Sequence, residues 1–136
     1  NEEGFSKWLQ RVKALCTESG HLEVALFHIG QVLIHAPSDP SGLWIHRAVA
    51  SALNDRDAEN MRKGFRTGLF NSRGVHLVDP TGRSERELAE QFRRKAEDVE
   101  NAGFHRFAAT LRSLAETYDH EAERIIAEYR REEGDG

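Results

Sequence analysis

Apolar residues recur at steps of three and four along most of this chain, and the phase of the recurrence resets at short polar breaks. The signal is strongest between Ser84 and Arg131. There Leu88, Phe92, Ala96 and Val99 form one stripe, and Phe104, Phe107, Leu111, Leu114, Tyr118, Ala122, Ile125 and Tyr129 form another. Such steps put side chains on one face of an α-helix, so each stripe predicts an amphipathic helix with a face to bury. Asn101-Ala102-Gly103 separates the two, which predicts an antiparallel helical hairpin. Ser84 is the expected N-cap of its first helix, with Glu87 completing a capping box. The second helix, from Phe104 to near Arg131, would be roughly 40 Å long at the rise of an α-helix. Its last turns could outrun the core and pair with another chain.

Upstream, Phe5, Trp8, Leu9, Val12, Leu15 and Cys16 mark a first helix that stops before Ser19-Gly20. From His21 to His35 the chain is apolar nearly all round, which predicts a central, buried helix; its β-branched content also fits a strand, though less well. Ala36-Pro37-Ser38 closes that element. Asp39 is the expected cap of the next, with Pro40 at its first position and Leu43, Trp44, Ala48 and Ala52 on its buried face. Asn54-Asp55 breaks the run before a fourth helix, starting near Arg56, that turns Ala58, Met61, Phe65 and Leu69 inward. Gly64 and Gly68 lower its helix propensity and mark either close helix packing or fraying. From Asn71 to Arg83 no helix is expected. Asp79-Pro80-Thr81-Gly82 carries a β-turn signal, and Val75-His76-Leu77-Val78 could be a short extended piece.

The expected fold is therefore all-α, with about six helices in stacked antiparallel α-hairpins. It forms one domain over residues 1–136: two helix pairs in 5–70, a loop in 71–83 and a long C-terminal hairpin in 84–132. Gly20, Ala25, Ile29 and Pro37 are spaced as the turn glycine, small residue, large apolar residue and terminal proline of a repeated helix pair. Leu43-Trp44, Asn54-Asp55 and Ala58 stand near the matching places of a second copy. In these residues the first half of the chain resembles the tetratricopeptide-type helical repeats, whose period is 34 residues. Lys13 departs from that pattern by standing where the family carries a small residue, and the second copy drifts by one position. The resemblance implies a groove lined by the first helix of each pair, and by position it implies Lys7, Gln10, Ser41 and Trp44 as groove residues.

Composition narrows the class. The chain has 136 residues, 38% of them hydrophobic and 31% charged, which is a globular balance and not a disordered one. No apolar run is long enough to span a membrane, so no membrane partner is expected. The first residues lack the blocks of a signal peptide, and Cys16 is the only cysteine, so a cytoplasmic location without disulfides is expected. The absence of an initial Met suggests a trimmed chain or a piece of a longer protein. The net charge of -4 hides an uneven distribution. Between Arg56 and Lys95 ten basic residues face six acidic ones, leaving +4 there and -8 elsewhere.

Several residue groupings could carry chemistry. His21, His28 and His35 recur every seven residues, but successive members lie about 10 Å apart along a helix, too far for one metal ion. His46 could approach them, yet hydrogen-bonded histidines at the margin of a core explain the spacing as well. Glu116 and His120 lack the Glu-x-x-His spacing of di-metal bundles. Ser72, Arg73, His76 and Asp79 could be drawn as an acid-base cluster, but no nucleophile motif accompanies them. Gly82-Arg83-Ser84 lacks the glycine spacing and lysine of a phosphate loop. The basic region is the best candidate: Arg62, Arg66, Arg73, Arg83 and Arg86, with His76, could converge and bind phosphate or carboxylate. Arg86, Glu90 and Arg94, and Arg93 with Glu97, are equally spaced for salt bridges along one helix. The expected function is a non-enzymatic protein–protein interaction module with no metal or cofactor. The alternative is a nucleic-acid-associated or regulatory protein that contacts phosphates through residues 56–95. Another protein is the expected partner, and homodimerisation through the C-terminal helix is a further route.

Overall fold

The computed structural model describes residues 2–73 and 78–135, and among them the chain is helical with no strand. Six α-helices follow one another: α1 (Glu2–Ser19), α2 (Leu22–Val32), α3 (Arg47–Asn54), α4 (Glu59–Ser72), α5 (Arg83–Asn101) and α6 (His105–Asp135). A 3-10 turn, Leu33–His35, prolongs α2. Residues 75–77 of the suggested extended piece, His76 included, lie outside the described residues.

The C-terminal hairpin follows its stripes. Ala89, Phe92, Ala96 and Val99 of α5 and Phe107, Leu111, Leu114, Tyr118 and Ala122 of α6 are buried. The Phe92 and Tyr118 rings stack at 5.8 Å. Gly103, at φ 98°, turns the chain where other residues would be strained, and the amides of Gly103 and Phe104 return to the carbonyls of Glu100 and Val99. Phe104 has no side-chain acceptor for the first amides of α6. Asn54, at the end of α3, supplies it: its Oδ1 accepts from Arg106 N at 2.7 Å and Phe107 N at 3.1 Å. Residues 127–134 are all exposed, so the end of α6 does run past the core.

The second extensive seam joins α2 to α4, and it is built on backbone. A Cβ placed at Gly30 would fall 2.0 Å from the Met61 carbonyl oxygen, and one at Gly64 would fall 1.9 Å from that of Phe27. Glycine at these two positions lets the helices touch main chain to main chain, so Gly64 marks close packing, not fraying. The expectation of a central α2 is corrected. Leu26, Gly30 and Leu33 are buried, but Val24 and Val32 are 60% and 67% exposed. Only one side of α2 meets α4, and the interior forms instead where α3, α4 and α6 meet, around Leu53, Met61, Phe65, Phe107 and Leu111. Phe65 and Phe107 pack edge to face there at 5.2 Å.

Three predicted helix starts shift. Asp39 and Pro40 do not open α3, which begins at Arg47. Asp39 instead reaches forward: its Oδ2 accepts from Ser41 N at 2.9 Å and its Oδ1 from Arg47 N at 3.0 Å, closing the intervening turn. The His46 ring caps α3, with Nδ1 accepting from Ala48 N at 3.2 Å. The Asp79 to Gly82 turn forms as expected, with Gly82 N donating to Asp79 O at 3.0 Å. However, α5 starts at Arg83, ahead of Ser84, because Gly82 sits at φ 69° and Thr81 Oγ1 accepts from Arg83 N. Glu87 pairs with Arg83 at 3.0 Å and not with a capping serine. The fourth helix begins at Glu59, three residues after Arg56.

Candidate functional site

Helix α1 leans on α2 and α3 along one side only. Leu9 is its one buried apolar side chain among the described residues, while Trp8 is 48% and Leu15 67% exposed. Seven residues apart, these two share a stripe, and Arg11 lies between them on the same outward side. Phe5 supports the Trp8 ring at 6.1 Å. No carboxylate comes within ion-pair distance of Lys7 or Arg11 among the described residues, so this stripe combines two open apolar anchors with two uncompensated cations.

On its other side α1 faces α3 across a groove of about 420 Å³, lined by Ser6, Leu9, Gln10, Lys13, Arg47 and Ser51 among others. Of the four residues implied by the repeat resemblance, Gln10 lines this groove. Lys7 points along the outer side of α1. Ser41 lies in the turn held by Asp39, accepting from Arg47 Nε at 3.5 Å. Trp44 packs inward: its Nε1 donates to Lys95 O at 3.1 Å, Lys95 Nζ sits 4.9 Å above its ring, and Phe107 is 6.0 Å away. Hydrogen bonds from Ser41 and Arg47 hold Asp39 down to about 2, well below the usual carboxylate value.

The arginines of the basic region divide into two sets. Arg73 meets the buried Glu85 at 2.7 Å, Arg83 meets Glu87 at 3.0 Å, and Arg86 lies 3.7 Å from Asp119. Arg93 reaches Asp119 at 2.6 Å, and Arg94 lies 3.8 Å from Glu90. These cations lie along α5 or face it, and carboxylates of α5 and α6 neutralise them. Arg62 and Arg66 on α4 differ. Arg62 Nη1 donates to the carbonyls of Leu53 at 2.9 Å and Asp55 at 2.6 Å, and Arg66 Nη2 donates to the Thr117 hydroxyl. Neither is in an ion pair among the described residues. The five described residues of the predicted site therefore do not converge: Arg62 and Arg66 sit between α4 and α6, Arg73 lies at the end of α4 against Glu85, and Arg83 and Arg86 open α5. His76 lies outside the described residues.

The Asp79 carboxylate accepts from Thr81 N at 2.9 Å and from its hydroxyl at 2.6 Å, which lowers its pKa and commits it to the turn. His21, His28 and His35 are exposed, on the outward side of α2 instead of at a core margin, and His28 Nδ1 meets only Gln31 Oε1 at 3.2 Å. Among the described residues, no three His, Cys, Asp or Glu side chains gather as metal ligands, and no helix is long and apolar enough to cross a membrane. Sequence reading missed the open stripe of α1, because Trp8 and Leu15 read as core positions. It also missed Arg106, which lies outside the basic segment yet joins Arg62 and Arg66 in space.

Comparison of the chain with protein-family models, curated proteins and solved structures finds no match.

Proposed function

We propose that the protein is a non-enzymatic protein–protein interaction module that docks an amphipathic helix with acidic flanks onto the outer stripe of α1. The observation that carries this reading is the pairing of Trp8 and Leu15, 48% and 67% exposed on one stripe, with Lys7 and Arg11, which have no ion pair among the described residues. Large aromatic anchors ringed by polar side chains are where binding energy concentrates. Apolar side chains left outward on an ordered helix gain by finding a partner that removes them from water. The nucleic-acid reading of residues 56–95 loses support because most of those arginines already face carboxylates, which leaves no extended cationic track for a phosphate backbone among the described residues. The stacked hairpins that the tetratricopeptide resemblance implies would suit the same role, with the α1–α3 groove as their concave side.

The test is co-purification from cell extract at low and high salt, with and without nuclease, comparing the parent chain with Trp8→Ser/Leu15→Ser. The reading expects a protein partner that persists through nuclease and survives salt, and that the double variant loses. Recovery of nucleic acid alone, or of a partner the variant holds equally well, would overturn it.

A further inference from the structure

The crevice between α4 and α6 has a charge pattern found nowhere else among the described residues. It measures about 410 Å³ and is lined by Arg62, Arg66, Arg106, Thr110, Ser113 and one carboxylate, Glu59. Glu59 is held by Lys63 at 3.5 Å, so three guanidinium groups face one crevice with no carboxylate in an ion pair with any of them. Arg62 spends Nη1 on two carbonyls, and its Nη2 and Nε have no partner among the described residues. Arg66 Nε is buried without a hydrogen-bond acceptor. Arg106 makes no ion pair among the described residues. A buried donor without an acceptor is costly and three cations side by side repel one another, so an anion seated among them would offset that repulsion. Burial and the neighbouring Arg106 lower the pKa of Arg62, against the opposing pull of Glu59 and Asp55.

The geometry points to a binding site in this crevice for a small tetrahedral oxyanion of the phosphate class, either the free ion or the terminal phosphate of a small molecule. Guanidinium forks match such an anion through paired N–H donors, and the Ser113 hydroxyl adds a neutral donor at the α6 wall. The size favours a small ligand over a polymer. A crevice of this volume accommodates a compact guest, and the arginines beyond it, Arg86, Arg93 and Arg94, are neutralised by Asp119 and Glu90. The site lies away from the α1 stripe and stands independently of the docking proposed there.

Calorimetric titration of the parent chain with inorganic phosphate, and separately with glycerol phosphate, against chloride at matched ionic strength tests the assignment. Saturable binding at one site is expected, with about tenfold or greater weakening in Arg106→Gln, the loss expected from one charge-assisted hydrogen bond. Arg106 is exposed and bonds to the core only through its backbone amide, so this variant should keep the parent's denaturant midpoint. Arg130→Gln, on the exposed end of α6, should bind as the parent does. Tighter binding of glycerol phosphate would identify a small organic phosphate as the guest, and equal or weaker binding would identify the free ion. No saturable binding of either probe, or equal weakening by Arg106→Gln and Arg130→Gln, would overturn the assignment.

Discussion

The α5–α6 seam and the α2–α4 seam hold this protein together by different means. Between α5 and α6 the contact is made by side chains, with Val99, Phe107 and Leu111 almost fully out of water. Ion pairs cross its edges: Arg112 grips Glu100 at 2.5 and 3.1 Å and lowers that carboxyl's pKa, and Arg93 reaches Asp119. Between α2 and α4 the contact is main chain against main chain at Gly30 and Gly64. The first seam buries most of its apolar faces, from Ala89 to Val99 and from Phe107 to Ile125. The second brings two helices close over a narrow strip and leaves the outward sides of α1 and α2 holding Trp8, Leu15, Val24 and Val32 in solvent. A seam made of glycine fixes position without using up the large side chains of α2, and Val24 and Val32 stay in solvent.

The difference predicts an order of sensitivity. Gly64→Ala should be the most damaging of the conservative changes, because its methyl would overlap the Phe27 carbonyl at 1.9 Å and neither backbone can yield cheaply. A loss of at least about 3 kcal/mol is expected, despite the gain in helix propensity, and a midpoint equal to or above the parent's would break the comparison. Phe107→Ala removes the ring that meets both Phe65 and Trp44, and should cost about 3 to 5 kcal/mol by denaturant titration. Asn54→Ala removes the acceptor that α3 lends to the first amides of α6, and should cost about 1 kcal/mol. A loss near zero would mean that the two halves are not joined through that cap.

The smallest effect concerns acid. Asp39 is ionised more readily in the folded chain than in an unfolded one, so its contribution is complete above the ordinary value of 3.8 and is lost as pH falls toward about 2. Asp39→Asn should flatten stability across that window and lower it modestly in the neutral range, where the parent's carboxylate contribution is complete, so that the two chains converge in acid. Stability measured against pH for both chains checks this, and parallel acid limbs would remove Asp39 from the account.

What the sequence made legible follows the same division. The C-terminal hairpin could be read because most apolar positions in its stripes, from Phe92 to Ile125, are buried against a facing helix, and Gly103 ends α5 by a local rule. For α2 the same reasoning failed. Val24 and Val32 look like core residues in one dimension, and only the narrow glycine contact explains why they stay outside. Capping was misread wherever the acceptor came from a distance: Asp39 serves Arg47 and Asn54 serves α6, and neither link leaves a local motif. The charge count of residues 56–95 was correct but did not measure available charge, since Asp119 lies outside that stretch and neutralises Arg86 and Arg93 across helices. Arg106 belongs with Arg62 and Arg66 only once α6 is folded beside α4.

In the proposed docking role the open stripe of α1 serves a partner and contributes little to the fold. That role is tested most directly by measuring how much nuclease-resistant, salt-resistant protein partner is retained by Trp8→Ser/Leu15→Ser at the parent's own denaturant midpoint. The account predicts an unchanged midpoint, within about 0.5 kcal/mol for exposed positions, together with loss of the partner. A variant that keeps the partner in full, or that loses it only because its midpoint has fallen, would contradict it.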